Sequence, residues 1–293
     1  MKNRIVSGRT RICGVIGDPV EHTMSPVMHN AAFEKMGLDY WYVPFRVKKE
    51  ELAKAIQGMK ALNIRGLNVT IPHKVAVIPF LDKLDPLVEM IGAVNTVVND
   101  NGVLCGYNTD ATGFLQALLE KGIKPKGKNA VILGAGGASR AISFILAERG
   151  ANLVVLNRQL ELDWAVELTG RISEIFRKEV KALELDEENL AMVLEKADIL
   201  VNATSVGISP DIENTPVAAH LLKSGLVVFD VVYNPLKTRL LSEAERAGAE
   251  TLLGGLDMLV WQGALAFEKW TGLKAPVGIM KREALKALEG HEK

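Results

Sequence analysis

The chain has 293 residues, 48% of them hydrophobic, which is enough for two domains that each bury a sizeable core. Its 35 lysine and arginine residues balance 35 aspartate and glutamate residues, so the bulk charge argues against a nucleic-acid or acidic-membrane partner. The two cysteines, Cys13 and Cys105, are too few for a disulfide framework and are expected to be buried thiols in a reducing compartment. With no apolar run of signal-peptide or membrane-span length, we expect a soluble cytoplasmic protein.

The N-terminal part of the chain is predicted to alternate strands and helices and then to end in a hairpin. Apolar residues recur at helical spacing in residues 48–61, which predicts an amphipathic helix. Residues 93–108 are predicted to form the hairpin, with its turn at Asn101-Gly102. The other elements expected here are strand 11–17, helix 26–36, strand 40–47 and strand 65–71.

From residue 128 the pattern becomes a strict alternation of apolar strands and helices. Near-continuous apolar strands separated by helices are typical of a parallel sheet covered on both faces. Six such strands predict a doubly wound nucleotide-binding domain. A helix at 258–270 and a tail helix follow, and we expect them to pack on the N-terminal part. The predicted strands are 128–134, 151–157, 180–185, 198–204, 226–232 and 249–255, and the predicted helices are 137–149, 161–178, 187–196 and 238–247.

The segment GAGGASR (134–140) follows the first of these strands and opens a helix. In that context a glycine-rich turn predicts a dinucleotide site, because its first two glycines allow a tight turn and a close approach of backbone N–H groups to a pyrophosphate. The third position of the pattern is Ser139, a small residue that still permits close packing. A tight turn without a ligand is the alternative.

The end of the next strand indicates which dinucleotide is bound. An acidic residue about 20 positions after the glycines would hold the ribose 2′-hydroxyl of NAD. This chain instead has Asn157-Arg158 at that place. The planar guanidinium of Arg158 suits the 2′-phosphate of NADP, so NADP is the predicted cofactor. A solvated loop arginine is the alternative.

The segment SPVMHN (25–30) is expected to start a helix, with Ser25 as its N-cap and Pro26 in its first turn. The same helix end, with the hydroxyl groups of Thr23 and Ser25 beside it, is also a candidate site for a substrate carboxylate.

The segment NVTIPHK (68–74) ends a predicted strand, because Pro72 has no backbone donor and holds its predecessor in an extended conformation. Lys74 therefore follows directly after a strand end. Its ammonium group needs a partner there. Residues 108–110 (NTD) lie where the first part of the chain gives way to the second. They suit an Asx-turn or a helix cap, but Asp110 is also a candidate partner of Lys74, since a lysine and a carboxylate together can hold a diol and pass a proton.

The five histidines, His22, His29, His73, His220 and His291, show no metal-ligand spacing, and the cysteines form no CxxC pair. We therefore expect no metal. His73 is expected to be a packing or loop residue.

Taken together, these motifs resemble those of the shikimate dehydrogenase family, and the resemblance extends over nearly the whole chain. Their joint order is more specific than any one of them alone. The motifs that carry the resemblance are, in order, GVIGDPVEHTMSPVMHN, NVTIPHK, GAVNTV, YNTDATGF, GAGGASR, NATSVG, DVVYNP and GGLDMLVWQGALAFEKWTG.

The resemblance implies reversible NADPH-dependent reduction of 3-dehydroshikimate to shikimate in aromatic amino-acid biosynthesis. Lys74 and Asp110 are implied at the reacting carbon, with Lys74 as general acid toward the ketone and general base in reverse. The implied substrate residues are Thr23, Ser25 and Tyr233 for the carboxylate and Thr70, Asn95 and Gln262 for the ring hydroxyl groups. The implied cofactor residues are Gly134, Ala135, Gly136, Gly137 and Ala138 for the pyrophosphate, Asn157 and Arg158 for the 2′-phosphate, and Val231 and Gly255 for the nicotinamide end.

The resemblance also implies a two-domain α/β fold with a substrate cleft between the domains. Residues 1–110 with 256–293 are the expected substrate-binding, catalytic domain, and residues 111–255 the Rossmann-type NADP-binding domain. The expected partners are small molecules, without nucleic acid or membrane, and the family includes both monomers and homodimers.

Two positions depart from the family pattern. Thr23 replaces a frequent serine and keeps the hydroxyl group. The cofactor loop continues as Gln159-Leu160-Glu161-Leu162 instead of Thr or Ser followed by a further basic residue, so weaker discrimination against NAD is expected. The alternatives are a quinate/shikimate dehydrogenase that also uses NAD and a non-catalytic NADP-binding sensor. Retention of both Lys74 and Asp110 argues against the sensor.

Overall fold

The computed structural model describes residues 5–291, and these residues form two compact units. The N-terminal unit contains residues up to Thr109 together with Gln262–His291, and the central unit contains Asp110–Trp261. Helix α9 (Gly255–Thr271) begins in the central unit and ends in the N-terminal unit. The assignment of substrate binding to one unit and cofactor binding to the other stays a prediction.

The N-terminal unit is built on a six-stranded mixed sheet with the strand order β2-β1-β3-β5-β6-β4. Its three parallel pairs join β1 to β2, β1 to β3 and β4 to β6, and the two antiparallel pairs join β3 to β5 and β5 to β6. The elements are β1 (Arg11–Gly17), α1 (Ser25–Lys35), β2 (Tyr40–Arg46), α2 (Leu52–Ala61), β3 (Gly66–Val69), β4 (Lys83–Leu84), α3 (Pro86–Ile91), β5 (Thr96–Asp100), β6 (Val103–Tyr107) and α10 (Val277–His291).

The predicted hairpin is confirmed, and its turn has the expected backbone conformation. Asn101 and Gly102 have φ angles of 52° and 90°, the left-handed values that a tight two-residue hairpin turn requires. Strand β4 and helix α3 were not predicted from the sequence. Both are short, and α3 depends on a local cap, since the Asp85 side chain accepts a hydrogen bond from the Leu87 amide at 3.0 Å.

The predicted N-cap role of Ser25 is wrong. Helix α1 has Met24 as its N-cap, without a side-chain capping bond, and Ser25 is already the first helical residue. The Ser25 amide instead donates to the hydroxyl oxygen of Thr23 at 3.3 Å. The Thr23 side chain thus satisfies an amide at the start of the helix, as a capping group does, from one residue further upstream.

An aromatic cluster forms part of the core of the N-terminal unit. The imidazole of His29 stacks on the ring of Tyr42, with a centroid distance of 4.4 Å, and lies 5.2 Å from the ring of Trp270. His29 is fully buried, and within the described residues neither of its ring nitrogens has a hydrogen-bond partner. Burial lowers the pKa of His29 to about 3, because the charged imidazolium cannot be solvated there.

This burial predicts a loss of stability in mild acid. Below a pH of about 6.5 the unfolded chain protonates His29 while the folded chain does not, so the contribution of His29 to the free energy of unfolding falls by about 1.4 kcal/mol per pH unit. Between pH 6.5 and pH 5 this contribution falls by about 2 kcal/mol, measured as the difference between the original chain and His29→Phe in urea unfolding at a series of pH values. His29→Phe should reduce this slope by about one proton. The exposed His22, replaced by Gln, should leave the slope as it is, and an unchanged slope in His29→Phe would contradict the prediction.

The central unit has the predicted architecture, a six-stranded parallel sheet with the order β12-β11-β10-β7-β8-β9. The chain begins this sheet at β7 and winds outward in both directions, so the strand order reverses between β7 and β10. The elements are α4 (Asp110–Glu120), β7 (Asn129–Leu133), α5 (Gly137–Glu148), β8 (Asn152–Asn157), α6 (Leu162–Phe176), β9 (Lys181–Glu184), α7 (Glu187–Leu194), β10 (Ile199–Asn202), β11 (Val227–Asp230), α8 (Arg239–Arg246) and β12 (Thr251–Leu253).

The helices of residues 5–291 contain no segment long and apolar enough to cross a lipid bilayer.

Candidate functional site

The glycine-rich turn lies between β7 and α5, at the reversal point of the central sheet, where ligands bind in folds of this type. Gly134 has a φ of 98° and its amide donates to the Leu156 carbonyl of the neighbouring strand at 2.7 Å. A Cβ atom at Gly134 would also lie 3.2 Å from the Ala203 carbonyl oxygen. The turn therefore needs glycine here for its backbone conformation and for its close contact with the adjacent loop.

The remainder of the turn fits a pyrophosphate. Gly136 is exposed and serves as the N-cap of α5 without a side-chain capping bond, and a Cβ atom there would meet nothing within 4 Å. The start of α5 thus offers backbone N–H groups and the positive end of a helix dipole to an anion. Ser139, fully buried, donates its hydroxyl group to the Gly134 carbonyl at 2.5 Å and closes the turn from within the helix.

The structure places the predicted 2′-phosphate residues beside this turn. Strand β8 pairs in parallel with β7, so their C-terminal ends, at Asn157 and Leu133, lie at the same edge of the sheet. Asn157 is buried, and its side-chain amide donates to the Glu161 carbonyl at 2.7 Å. The exposed Arg158 forms two hydrogen bonds of 2.7 Å to the Glu161 carboxylate.

The predicted nicotinamide-end residues lie in a second loop of the central unit, and a buried carboxylate holds this loop in place. Asp230, at the end of β11, accepts hydrogen bonds from the Asn202 side chain at 2.9 Å, the Val232 amide at 3.0 Å and the Thr238 hydroxyl at 2.7 Å. Burial raises the pKa of Asp230 to about 6, while these three donors act in the opposite direction. Sequence reasoning did not identify Asp230, although it lies inside the DVVYNP motif.

Val231 and Gly255 are brought together by this loop. The Val231 amide donates to the Asn202 carbonyl at 3.0 Å, and the Gly255 amide donates to the Val232 carbonyl at 3.1 Å. Tyr233 follows directly and is half-buried. Helix α9 starts at Gly255, so its first turn begins against the backbone that follows β11.

In the N-terminal unit, two backbone hydrogen bonds join the segment of Thr70 and Lys74 to Val94 and Asn95. The Val94 amide donates to the Lys74 carbonyl at 2.7 Å, and the Val69 amide donates to the Asn95 carbonyl at 2.8 Å. Strand β3 ends at Val69, two residues before the predicted end at Ile71, so Lys74 follows the strand as predicted and Thr70 follows it as well. Lys74 is half-buried.

Asn95 has its side chain fixed in a buried polar cluster. Its amide group donates to the Thr109 hydroxyl at 2.9 Å and to the Gln262 side-chain oxygen at 3.3 Å, and its oxygen accepts from the Thr109 amide at 2.7 Å. The structure therefore groups Asn95 and Gln262, both predicted to bind ring hydroxyl groups. Thr109 was missed as a site residue, although it stands beside Asp110 in the YNTD motif.

The other predicted residues occupy separate places. Thr23 and Ser25 form one pair at the start of α1, through the amide-to-hydroxyl bond described above. Asp110 is the first residue of α4 and is buried, with 4% of its surface exposed. Lys74 and Asp110 belong to different units, and their pairing stays a prediction.

The histidine beside Lys74 has a structural contact. The Nε2 atom of the fully buried His73 lies 2.6 Å from the Val47 carbonyl, so Nε2 carries the proton and donates to it. Among residues 5–291, no cluster of three or more His, Cys, Asp or Glu side chains is arranged to hold a metal ion.

Three family models match consecutive parts of the chain. The shikimate dehydrogenase substrate binding domain matches residues 15–97, the shikimate/quinate 5-dehydrogenase model matches residues 117–233, and the shikimate 5′-dehydrogenase C-terminal domain matches residues 255–285. A curated NADP(+)-dependent shikimate dehydrogenase from Moorella thermoacetica is 47% identical over 289 residues, covering 97% of each chain. The chain belongs to the shikimate dehydrogenase family.

Solved structures of shikimate dehydrogenases agree with this assignment. A crystal structure of a shikimate dehydrogenase in complex with NADP+ has a TM-score of 0.89 and 42% identity, covering 97% of this chain and 98% of the other. The shikimate 5-dehydrogenase of Listeria monocytogenes, in complex with shikimate and NAD, has a TM-score of 0.86 and 43% identity, covering 94% and 97%. The predicted family, two-domain α/β fold and enzyme class, an NADP-dependent oxidoreductase, are confirmed.

Proposed function

We propose that the chain catalyses the reversible NADPH-dependent reduction of 3-dehydroshikimate to shikimate in aromatic amino-acid biosynthesis, with Lys74 and Asp110 at the reacting carbonyl. The substrate carboxylate is held by Thr23, Ser25 and Tyr233. The ring hydroxyl groups are held by Thr70, Asn95 and Gln262. The two free cysteines, Cys13 and Cys105, fit a reducing compartment, and we place the activity in the cytoplasm.

The observation that carries this proposal is the pair of backbone hydrogen bonds by which the end of β3 and the segment after it, which contains Thr70 and Lys74, are joined to Val94 and Asn95. Lys74 therefore lies in a segment paired with the segment of Asn95, and ammonium, hydroxyl and amide groups are suited to bind the ketone and hydroxyl groups of a polyhydroxylated ring. Asn95 is oriented by Thr109, so its hydrogen-bonding atoms are fixed before any substrate binds.

The proposed role of Lys74 follows from the charge changes of the reaction. Reduction of a ketone puts negative charge on the carbonyl oxygen, which needs a proton and a nearby positive charge. Lys74 donates that proton in the direction of shikimate formation and accepts it in the reverse direction. The carboxylate of Asp110 accepts a hydrogen bond from the substrate hydroxyl group and holds the ammonium group of Lys74 in place.

The central unit fits the proposed cofactor. NADPH, when bound, supplies the hydride. Its pyrophosphate is assigned to residues 134–138, where the turn exposes the N-terminus of α5, and its 2′-phosphate to Asn157 and Arg158. The nicotinamide end is assigned to the backbone at Val231 and Gly255.

The proposed activity predicts an increase in absorbance at 340 nm when the purified protein is mixed with shikimate and NADP+. We expect a faster rate with NADP+ than with NAD+ in a parallel assay, because Arg158 favours a 2′-phosphate. Quinate in place of shikimate is the control for substrate specificity. No reduction of either cofactor in the presence of shikimate would contradict the proposed function.

A further inference from the structure

The guanidinium group of Arg158 is already engaged by a carboxylate. Its Nε and Nη2 atoms each donate a 2.7 Å hydrogen bond to a different oxygen of Glu161, which makes a two-bond fork. This is the same geometry by which arginine binds a phosphate. The Arg158 hydrogen bonds also lower the pKa of Glu161, so this side chain is a carboxylate at neutral pH.

The backbone of the turn holds Glu161 in this position. The Asn157 side-chain amide donates to the Glu161 carbonyl at 2.7 Å, and the Glu161 amide donates to the Arg158 carbonyl at 2.9 Å. Glu161 is also the N-cap of α6, yet its side chain makes no capping bond. The Glu161 carboxylate, with 24% of the side chain exposed, is more sheltered than the Arg158 side chain, with 69% exposed.

The local sequence offers no second cation for a 2′-phosphate. Residues 159–170 (QLELDWAVELTG) contain three acidic residues and neither lysine nor arginine. A phosphate that arrives here meets one arginine whose charge is already neutralised by Glu161. The doubly charged 2′-phosphate must displace the Glu161 carboxylate from Arg158 and then remain close to this carboxylate. The repulsion between the two negative groups costs binding free energy.

We infer that Glu161 competes with the 2′-phosphate for Arg158 and so sets a low preference for NADP over NAD. The inference rests on the proposed function in one respect, the assignment of the 2′-phosphate to Arg158. NAD carries a 2′-hydroxyl group instead, so it leaves the Arg158–Glu161 pair intact. The carboxylate of Glu161, in the turn between β8 and α6, is then available to accept a hydrogen bond from that hydroxyl group.

The test is calorimetric titration of the full chain with NADP+ and with NAD+, in the absence of shikimate. Glu161→Gln keeps the side-chain size and removes the competing charge. This variant should bind NADP+ about tenfold more tightly, because the guanidinium group gains a charge-assisted bond to phosphate without first losing one. Its affinity for NAD+ should stay within about twofold of the original or fall.

The exposed Asp163 provides a matched control, since Asp163→Asn removes one negative charge two residues away. It should change the ratio of the NADP+ and NAD+ dissociation constants by less than about twofold. In an Arg158→Gln background, Glu161→Gln should also have an effect below about twofold, because the pair no longer exists.

Two results would overturn the inference. The first is that Glu161→Gln and Asp163→Asn change the ratio of the NADP+ and NAD+ dissociation constants by the same small amount. The other is an equal gain in NADP+ affinity with and without Arg158, which would make the effect one of general charge. Failure of the underlying site assignment has a different signature, an Arg158→Gln variant whose NADP+ affinity equals that of the original chain.

Discussion

Replacement of Lys74 by alanine is expected to lower kcat for shikimate oxidation by at least about 100-fold, because positioned general acid–base groups contribute about 10²–10⁴-fold. Steady-state rates at 340 nm measure this effect. The dissociation constant of NADP+ should stay unchanged, since the glycine-rich turn and Arg158 belong to the central unit and Lys74 to the N-terminal unit. The loss should therefore appear in kcat and not in cofactor binding.

Two further variants separate the possible contributions of Lys74. Lys74→Arg keeps the positive charge, but arginine does not release its proton near neutral pH. If proton transfer dominates, this variant is nearly as slow as Lys74→Ala, whereas a purely electrostatic role leaves it substantially active. Lys83→Ala removes an exposed lysine from β4 of the same unit and should retain full activity.

The assignment of Lys74 would be wrong if Lys74→Ala retained its kcat while circular dichroism and thermal unfolding showed an intact fold. Asp110→Asn tests the proposed partner in the same assay. It removes the charge of a buried carboxylate at the start of α4 and keeps its shape. We expect a smaller loss than for Lys74→Ala, because Asp110 acts by holding groups in place and Lys74 moves the proton.

The architecture of the central unit could be predicted from sequence because its signals are long and consistent with one another. Most strands are near-continuous apolar runs, with β9 as the exception, each helix fills a gap of the expected length, and right-handed crossovers leave few ways to cover both faces of such a sheet. The hairpin at Asn101-Gly102 was predictable for a local reason, since few residues adopt the left-handed backbone that the turn needs. Strand β4 and helix α3 are too short to produce a periodic pattern.

The site was predictable in its residue types and less so in its contacts. Motif order identified Lys74 and Asn95, but no local pattern shows that Thr109 orients Asn95, because that contact joins residues 14 positions apart. Ser25 shows the limit of a local rule, since the serine–proline pair fits two helix registers and the backbone adopts the one that starts a residue earlier. The sequence shows Glu161 as an acidic residue that the family pattern lacks in the cofactor loop. Its two hydrogen bonds to Arg158 could not be predicted, because they depend on the fold of the turn.

A methyl group at Gly255 is expected to have the largest structural effect of any single substitution in the candidate site. A Cβ atom there would lie only 2.1 Å from the Val231 carbonyl oxygen and 2.9 Å from the carbonyl carbon of Val232. Both contacts are with backbone, so no side-chain rotation relieves them. Gly255→Ala must displace either the start of α9 or the loop after β11.

The displacement should reduce both stability and cofactor binding. Overpacking of this kind costs about 3 kcal/mol, which corresponds to a fall in Tm of about 5 °C for a chain of this size. Because Val231 and Gly255 are the residues proposed for the nicotinamide end, the NADP+ dissociation constant should rise as well. Differential scanning calorimetry and calorimetric titration measure the two effects.

Gly170→Ala is the matched control in the same unit. Gly170 lies within α6, and a Cβ atom there would meet nothing within 4 Å. Alanine should therefore raise stability by about 0.5–1 kcal/mol through its higher helix propensity and leave NADP+ binding unchanged. If Gly255→Ala had the same Tm and the same NADP+ affinity as the unsubstituted chain, the start of α9 and the loop after β11 would be free to move apart. In that case the close backbone contact would not be what positions the nicotinamide end.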